Sequence, residues 1–377
     1  MKRIMTVFGT RPEAVKMAPL IRALKNDEEL DPIVVVTAQH REMLDSVLQT
    51  FKLTPDYDLN IMKPNQSLSE ITANILSQLD KVFDEAQPDM VLVHGDTMST
   101  FAGSLAALYK EIPIGHVEAG LRTWDKHSPF PEEMNRQMVG VMADINFAPT
   151  QKAAENLVEE NKPKESIVIT GNTAIDAMNY TLSDNYQSEV ITKHSGQKVI
   201  LLTAHRRENI GEPMANIFEA VREIADQYKD ITIVYPVHKN PKVRELAQHY
   251  LSHHERIELI EPLEVADFHN FANQAYLILT DSGGVQEEMP SLGKPVLVLR
   301  DTTERPEGVE AGTLKIVGTA KNYIVEELSK LIDHEDAYQS MAKANNPYGD
   351  GLASSRIVGH IKYYFGLTNS KPRPFSS

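Results

Sequence analysis

At 377 residues, with 41% hydrophobic and 24% charged residues, the chain has the composition of a globular protein and enough length for two cores of ordinary size. Its formal net charge of −15 argues against nucleic acid or an anionic membrane surface as a general partner. The absence of cysteine excludes disulfides, thiolate nucleophiles, Fe–S clusters and thiolate zinc sites.

Strand and helix signals alternate along the chain. Ile4–Phe8 reads as a strand, too short and too soon followed by Arg11 and Glu13 to be a signal-peptide core. Gly9-Thr10-Arg11-Pro12 breaks it, and Ala14, Met17, Ala18, Ile21 and Leu24 then mark one face of a helix. Ile33–Thr37 is an apolar strand of the kind buried in parallel sheets, and Leu68, Ile71, Ile75, Leu79 and Val82 mark a longer helix. Met90–Val93, Ile112–Val117, Ile145–Ala148 and Ile167–Thr170 are further strands, with helices at Ser99–Tyr109 and Glu132–Met142. After the polar segment Ser183–Gln197, read as a loop or helix end, strands recur at Lys198–Thr203, Ile231–Tyr235, Ile257–Ile260, Tyr276–Thr280, Val296–Leu299 and Leu314–Val317. Helices at Tyr323–Ile332 and Ala353–Tyr364 close the chain. No stretch approaches the ~20 apolar residues of a membrane span, so the expectation is a soluble, cytoplasmic protein.

Repeated βα units imply an α/β protein of parallel sheets, here two Rossmann-like domains facing a cleft, with ligands at the carboxyl ends of the strands. The residues that follow the strands bear this out in their chemistry. Arg11 and Lys16 follow the first strand, where a dinucleotide fold carries G-x-G-x-x-G; that fingerprint is absent. Asp96 and Glu118 each stand just past an apolar strand. Glu132 and Glu133 open a helix, where acids also stabilise the dipole by ~0.3–1 kcal/mol without further function. Carboxylates sharing one site raise each other's pKa, which lets a general acid and a general base coexist near neutrality. In the second half His205, beside Arg206 and Arg207, ends one strand and His238 the next. Asp281-Ser282-Gly283-Gly284 links a strand to a helix start, a geometry suited to a diphosphate, with Arg305 downstream and Glu287 or Glu288 available for a ribose diol. His249, His253 and His254 read as a solvated helix end, no cluster has metal spacing, and Asp56-Tyr57-Asp58 reads as a turn.

The motifs together resemble a bacterial non-hydrolysing UDP-N-acetylglucosamine 2-epimerase. They are Phe8-Gly9-Thr10-Arg11-Pro12-Glu13, Val93-His94-Gly95-Asp96-Thr97, Gly115-His116-Val117-Glu118-Ala119-Gly120-Leu121-Arg122, Thr170-Gly171-Asn172-Thr173, His205-Arg206-Arg207-Glu208, Thr280 through Glu288, and Arg300 through Pro306. The resemblance implies the GT-B architecture, with an N-terminal domain of residues 1–171 plus a crossover helix in 358–377 and a UDP-binding domain of residues 172–357. It further implies a homodimer, interconversion of UDP-GlcNAc and UDP-ManNAc, and no cofactor or metal. Matching positions make Asp96, Glu118, Glu132 and His205 the catalytic set. Arg11, Lys16, Asp96, Glu118, His205, Phe268, Ser282, Gly283, Gly284, Glu288 and Arg305 are the substrate contacts. Gln39, His40, Gln66 and His238 match segments of a second, activating substrate site. Met289 stands where the resemblance leads one to expect alanine.

The chemistry fits this inventory. The C2 hydrogen of UDP-GlcNAc is not next to a carbonyl, so direct deprotonation leaves no stabilised carbanion. Expelling UDP first makes C1 cation-like, and loss of the C2 proton then gives a 2-acetamidoglucal. Three rivals remain at this stage: a GT-B UDP-sugar glycosyltransferase, a hydrolysing epimerase that releases ManNAc, and a catalytically silent UDP-sugar sensor. The trio Asp96, Glu118 and Glu132 favours epimerisation over the first and third.

Overall fold

The computed structural model describes residues 1–38, 41–63 and 65–376. The chain divides into two compact units, residues 1–180 with 349–377, and residues 181–348. Each is built on one parallel sheet with helical connections, the Rossmann-like α/β class expected from the alternation of strand and helix signals.

In the first unit the strands are β1 (Lys2–Phe8), β2 (Leu30–Val36), β3 (Tyr57–Asp58), β4 (Met90–His94), β5 (Ile114–Val117), β6 (Ile145–Ala148) and β7 (Ile167–Ile169), ordered β3-β2-β1-β4-β5-β6-β7. The second unit has β8 (Lys198–Thr203), β9 (Ile231–Pro236), β10 (Ile257–Ile260), β11 (Leu277–Thr280), β12 (Val296–Val298) and β13 (Leu314–Ile316), ordered β10-β9-β8-β11-β12-β13. Central strands such as β4 are buried along their whole length, because helices cover both faces of a parallel sheet. Strand order reverses between β1 and β4 in the first sheet and between β8 and β11 in the second. At such a reversal the connections leave in opposite directions and open a crevice at the carboxyl ends. The sequence segments singled out above, residues 9–16, 94–97, 204–206 and 281–284, follow these four strands.

The final helix, Ala353–Tyr364, packs on the Arg11–Lys25 helix of the first unit. Its start is held by buried Asp176, which accepts from the N–H groups of Ala353 (3.1 Å) and Ser354 (2.6 Å). Lys362 near its end reaches Asp27 (2.8 Å) and Glu29 (2.7 Å). Asp176 lies in the helix Thr173–Thr181, which this bond keeps in the first unit. The unit boundaries therefore fall at 180/181 and 348/349, whereas the sequence suggested 171/172 and 357/358.

Several local expectations are corrected. Tyr57–Asp58 is an edge strand paired with Val35–Val36, and Asp56 accepts from Val34 N–H (2.8 Å), so the Asp-Tyr-Asp run is taken up by the sheet and is not a free turn. A short helix, Glu189–Lys193, lies inside the polar segment. The side chain of His254 is only 8% exposed and its Nε2 lies 3.0 Å from Asp226 Oδ1, so this ring is packed and not solvated. The helix after Ser282 ends at Glu288 and tightens into a 3-10 turn over Met289–Leu292, where Pro290 supplies no N–H for an α-helical bond. Met289 is fully buried, in the same core cluster as Val285, Leu314 and Tyr348.

Candidate functional site

In the first unit the turn after β1 is pinned by Glu13. The Thr10–Glu13 pair forms a capping box at the start of the Arg11–Lys25 helix, three residues apart as that motif requires. Glu13 Oε2 accepts from the N–H groups of Gly9 (3.1 Å) and Thr10 (2.8 Å) and from Thr10 Oγ1 (2.7 Å). Its Oε1 accepts from Thr97 Oγ1 (2.7 Å) and Thr100 Oγ1 (3.1 Å), which joins the β1 turn to the β4 turn. Burial pushes this carboxyl above its ordinary range despite hydrogen bonds from Thr97, Thr10 and Gly9. Gly9 is required here: a Cβ would lie 1.9 Å from Thr37 Oγ1 and 2.5 Å from Ser99 Oγ. The turn thus presses between neighbouring elements and presents Arg11 and Lys16 at the strand ends.

Lys16 Nζ pairs with Glu118 Oε2. Asn172 Nδ2 donates to the same oxygen at 2.9 Å, and His94 Nε2 lies 3.8 Å from it. Burial raises the Glu118 pKa, but Lys16, the neighbouring imidazole and the two hydrogen bonds outweigh it and hold this carboxyl well below the usual range. Glu118 adopts φ of 61°, a left-handed conformation uncommon outside glycine and often found where a side chain is aimed for function. Burial lowers His94 to about 4 and His116 to about 3, so both rings are neutral at physiological pH. His116 Nε2 meets the Gly95 carbonyl at 2.7 Å, fixing the turn that carries Asp96.

Asp96 is in the opposite electrostatic state. Burial raises its pKa to about 6; Arg136, 3.2 Å away, opposes the shift, while the charges of Glu118 and Glu132 add to it. Glu132 and Glu133, alike in sequence, separate in structure. Glu133 is fully buried and accepts from the N–H groups of Thr123 (3.0 Å) and Trp124 (3.2 Å) and from Gln137 Nε2 (2.7 Å), so it braces a loop. Glu132 is left as the partly exposed acid beside Asp96. The structure thus brings Asp96, Glu118 and Glu132 into one electrostatic neighbourhood, with Lys16 among them.

In the second unit Asp281 plays the bracing part. Fully buried, it accepts from the N–H groups of His205 (2.9 Å) and Arg206 (2.8 Å) and from Asn209 Nδ2 (3.1 Å), locking the β8 and β11 turns together. His205 stacks on His238, with ring centroids 5.0 Å apart, and burial together with His205 lowers the His238 pKa. Ser282 caps the helix Gly283–Glu288 without a side-chain bond to it. Arg305 lies over this turn: a Cβ on Gly283 would come within 2.6 Å of its guanidinium, so only glycine lets the cation approach the helix start. Arg305 Nε donates to Glu287 Oε1 at 2.7 Å. That engages Glu287, whereas Glu288 lies 3.3 Å from His269 Nε2. Phe268, the residue before His269, packs partly buried on the core beneath.

Gln39 and His40 lie outside the described residues. Gln66 Oε1 accepts from Lys63 N–H (2.6 Å) in the first unit, and His238 belongs to the second. No group of three or more His, Asp or Glu that could hold a metal occurs among the described residues, and no described helix is long and apolar enough to cross a membrane. The roles of Glu13, Arg136, Asn172 and Asp281 were missed in the sequence. Asn172 stood in plain view in Thr170-Gly171-Asn172-Thr173 but read as a domain switch.

Comparison with known proteins identifies a family. A family model described as UDP-N-acetylglucosamine 2-epimerase matches residues 22–362. The UDP-N-acetylglucosamine 2-epimerase of Bacillus subtilis is 59% identical over 374 residues, 99% of this chain and 98% of that one. Among solved structures, an S. aureus MnaA–UDP co-structure matches all of both chains at 65% identity and TM-score 0.90. A Neisseria meningitidis UDP-GlcNAc 2-epimerase bound to UDP-GlcNAc matches at 50% identity and TM-score 0.86, over 96% of this chain and all of that one.

Proposed function

Because the chain belongs to the UDP-N-acetylglucosamine 2-epimerase family, we propose that it interconverts UDP-GlcNAc and UDP-ManNAc without hydrolysis, by eliminating UDP and adding it back. The observation that carries this reading is the unequal ionisation of neighbouring acids. Glu118 is held ionised by Lys16 and Asn172, whereas Asp96 takes a proton near pH 6. A carboxylate held ionised beside a carboxyl whose pKa approaches neutrality, where it can both take and return a proton, suits a reaction at two faces of C2.

In the first step the C1–O bond breaks, UDP leaves with the electron pair, and a carboxylate takes the C2 proton to give 2-acetamidoglucal. In the return, a carboxyl delivers a proton to the opposite face of C2 while a UDP oxygen re-forms the bond to C1. The second unit serves the nucleotide. Arg305 and His205 oppose charge developing on the diphosphate, where one preorganised donor is worth ~3 kcal/mol, and Glu288 takes the ribose diol. Glu132 completes the acid–base set, and Arg11, Phe268, Ser282, Gly283 and Gly284 complete the contacts to the nucleotide sugar. Homodimerisation, a cytoplasmic setting, activation through Gln39, His40, Gln66 and His238, and supply of ManNAc units to surface polysaccharide belong to the same reading. They rest on the family resemblance.

The test is proton NMR of the protein with UDP-GlcNAc in D2O without added cofactor or acceptor. The expected product is UDP-ManNAc carrying deuterium at C2, with only traces of UDP. Stoichiometric UDP and free ManNAc would make the enzyme hydrolytic, and an unchanged spectrum would end the epimerase reading.

A further inference from the structure

Glu304 sits among three arginines of the second unit. Its Oε1 lies 3.4 Å from Arg305 Nη1 and 3.7 Å from Arg206 Nη2, and its Oε2 accepts from Arg300 Nη1 at 2.6 Å. Each arginine has another anchor. Arg305 Nε donates to Glu287 (2.7 Å), Arg206 Nε donates to the Asp281 carbonyl (3.2 Å), and Arg300 Nε lies 3.7 Å from Glu208. Glu304 is the most exposed of the four side chains, at 39% against 33% for Arg206, 14% for Arg300 and 17% for Arg305. The cations are therefore the fixed part of this cluster and the carboxylate the part with room to turn outward.

The position of Oε1 is informative. It faces Arg305, whose guanidinium overlies Gly283, and Arg206, whose backbone is tied to Asp281 in the β8 turn. One oxygen shared by two guanidinium groups at the ends of β8 and β11 is the arrangement a phosphate oxygen would adopt there. We propose that Glu304 is an internal competitor for nucleoside diphosphate: its carboxylate claims the same three guanidinium groups and must turn outward when the diphosphate binds. The inference rests on the reading that this unit takes UDP. Partial burial works against the Glu304 charge, but Arg305 and Arg300 outweigh it and hold the pKa below the ordinary range, so the competitor is ionised wherever the diphosphate is. Its consequence is a deliberate loss of affinity. Arginines already compensated by a carboxylate bind the diphosphate less tightly and release the nucleotide sugar faster, while a ligand without phosphate is indifferent to Glu304.

Calorimetry of the full chain at fixed ionic strength, with UDP and with uridine as probes, tests this on the wild type, Glu304→Gln and Glu304→Ala. Both variants are expected to bind UDP about tenfold more tightly, the scale of a partly exposed ion cluster, with uridine binding unchanged. UDP binding that is unchanged or weaker in both variants, with the wild type binding normally, overturns the inference alone, because Glu304 then serves to order the arginines. A wild-type chain that binds no UDP overturns the functional reading, and this inference with it.

Discussion

Asp96→Asn is expected to stabilise the protein while abolishing its activity. The carboxyl titrates near 6 in the folded chain instead of 3.8, chiefly because burial disfavours its charge. Between those two values the folded state holds a proton that the unfolded state has lost, so stability falls as pH rises through the window and is flat above it. Raising a pKa from 3.8 to about 6 at 1.36 kcal/mol per pH unit makes the penalty at pH 7.5 about 3 kcal/mol. Asparagine removes the penalty but loses the pairing with Arg136, which still has Glu133 at 3.6 Å, so a net gain of about 1–3 kcal/mol is expected. For a unit of this size that is a rise of several degrees in melting temperature. The assay is a set of paired thermal melts by circular dichroism from pH 4 to 8. The variant-minus-wild-type difference should be near zero at pH 4, grow through pH 4–6 and level off above. A difference independent of pH, or a less stable variant at pH 7.5, would refute the argument that burial strains this carboxylate. Epimerisation should fall at least ~100-fold in the same variant, the scale of general acid–base catalysis.

Two further substitutions probe the supports of the site. Asn172→Ala removes a donor from the largely covered Glu118 and should cost about 1–3 kcal/mol in urea unfolding, with kcat falling more than KM rises; a pure KM effect would contradict the placement of Asn172 behind this carboxylate. Gly283→Ala sets a methyl 2.6 Å from the Arg305 guanidinium, which has to move aside. UDP affinity should drop about tenfold with the melting temperature almost unchanged, and unaltered calorimetric binding would show that Arg305 is not needed over that turn.

Asp96, Glu118, His205 and Arg305 were legible in the sequence because each follows a short apolar strand, and parallel sheets gather such residues at one edge. The doubly wound architecture was legible for the same reason. The supports were not. Glu13 reads as an ordinary capping acid, since nothing local shows that Thr97 and Thr100 lie 84 and 87 positions away in the chain but against its other oxygen. Glu132 and Glu133 differ by one step around a helix, and only tertiary packing decides which is buried. Asp281 appeared as part of a phosphate-type turn, yet its carboxylate faces inward to hold His205 and Arg206 in place. Asn172 and Asp176 were assigned to the second domain because the boundary was set at Gly171, but their hydrogen bonds to Glu118 and to the final helix hold them in the first.

The return of that final helix has a consequence for how the molecule is made. The second unit is one uninterrupted segment, complete once Tyr348 has been synthesised, whereas the first lacks a piece until the helix Ala353–Tyr364 emerges. At a synthesis rate of ~5–20 residues per second, the second unit can fold before the first is finished. Until then Asp176 lacks the N–H groups of Ala353 and Ser354, and the helix that carries it begins one residue after Asn172, the donor to Glu118. A nascent chain would thus form the arginine cluster of the second unit first and seat Glu118 last, once the helix Ala353–Tyr364 has returned to the first unit.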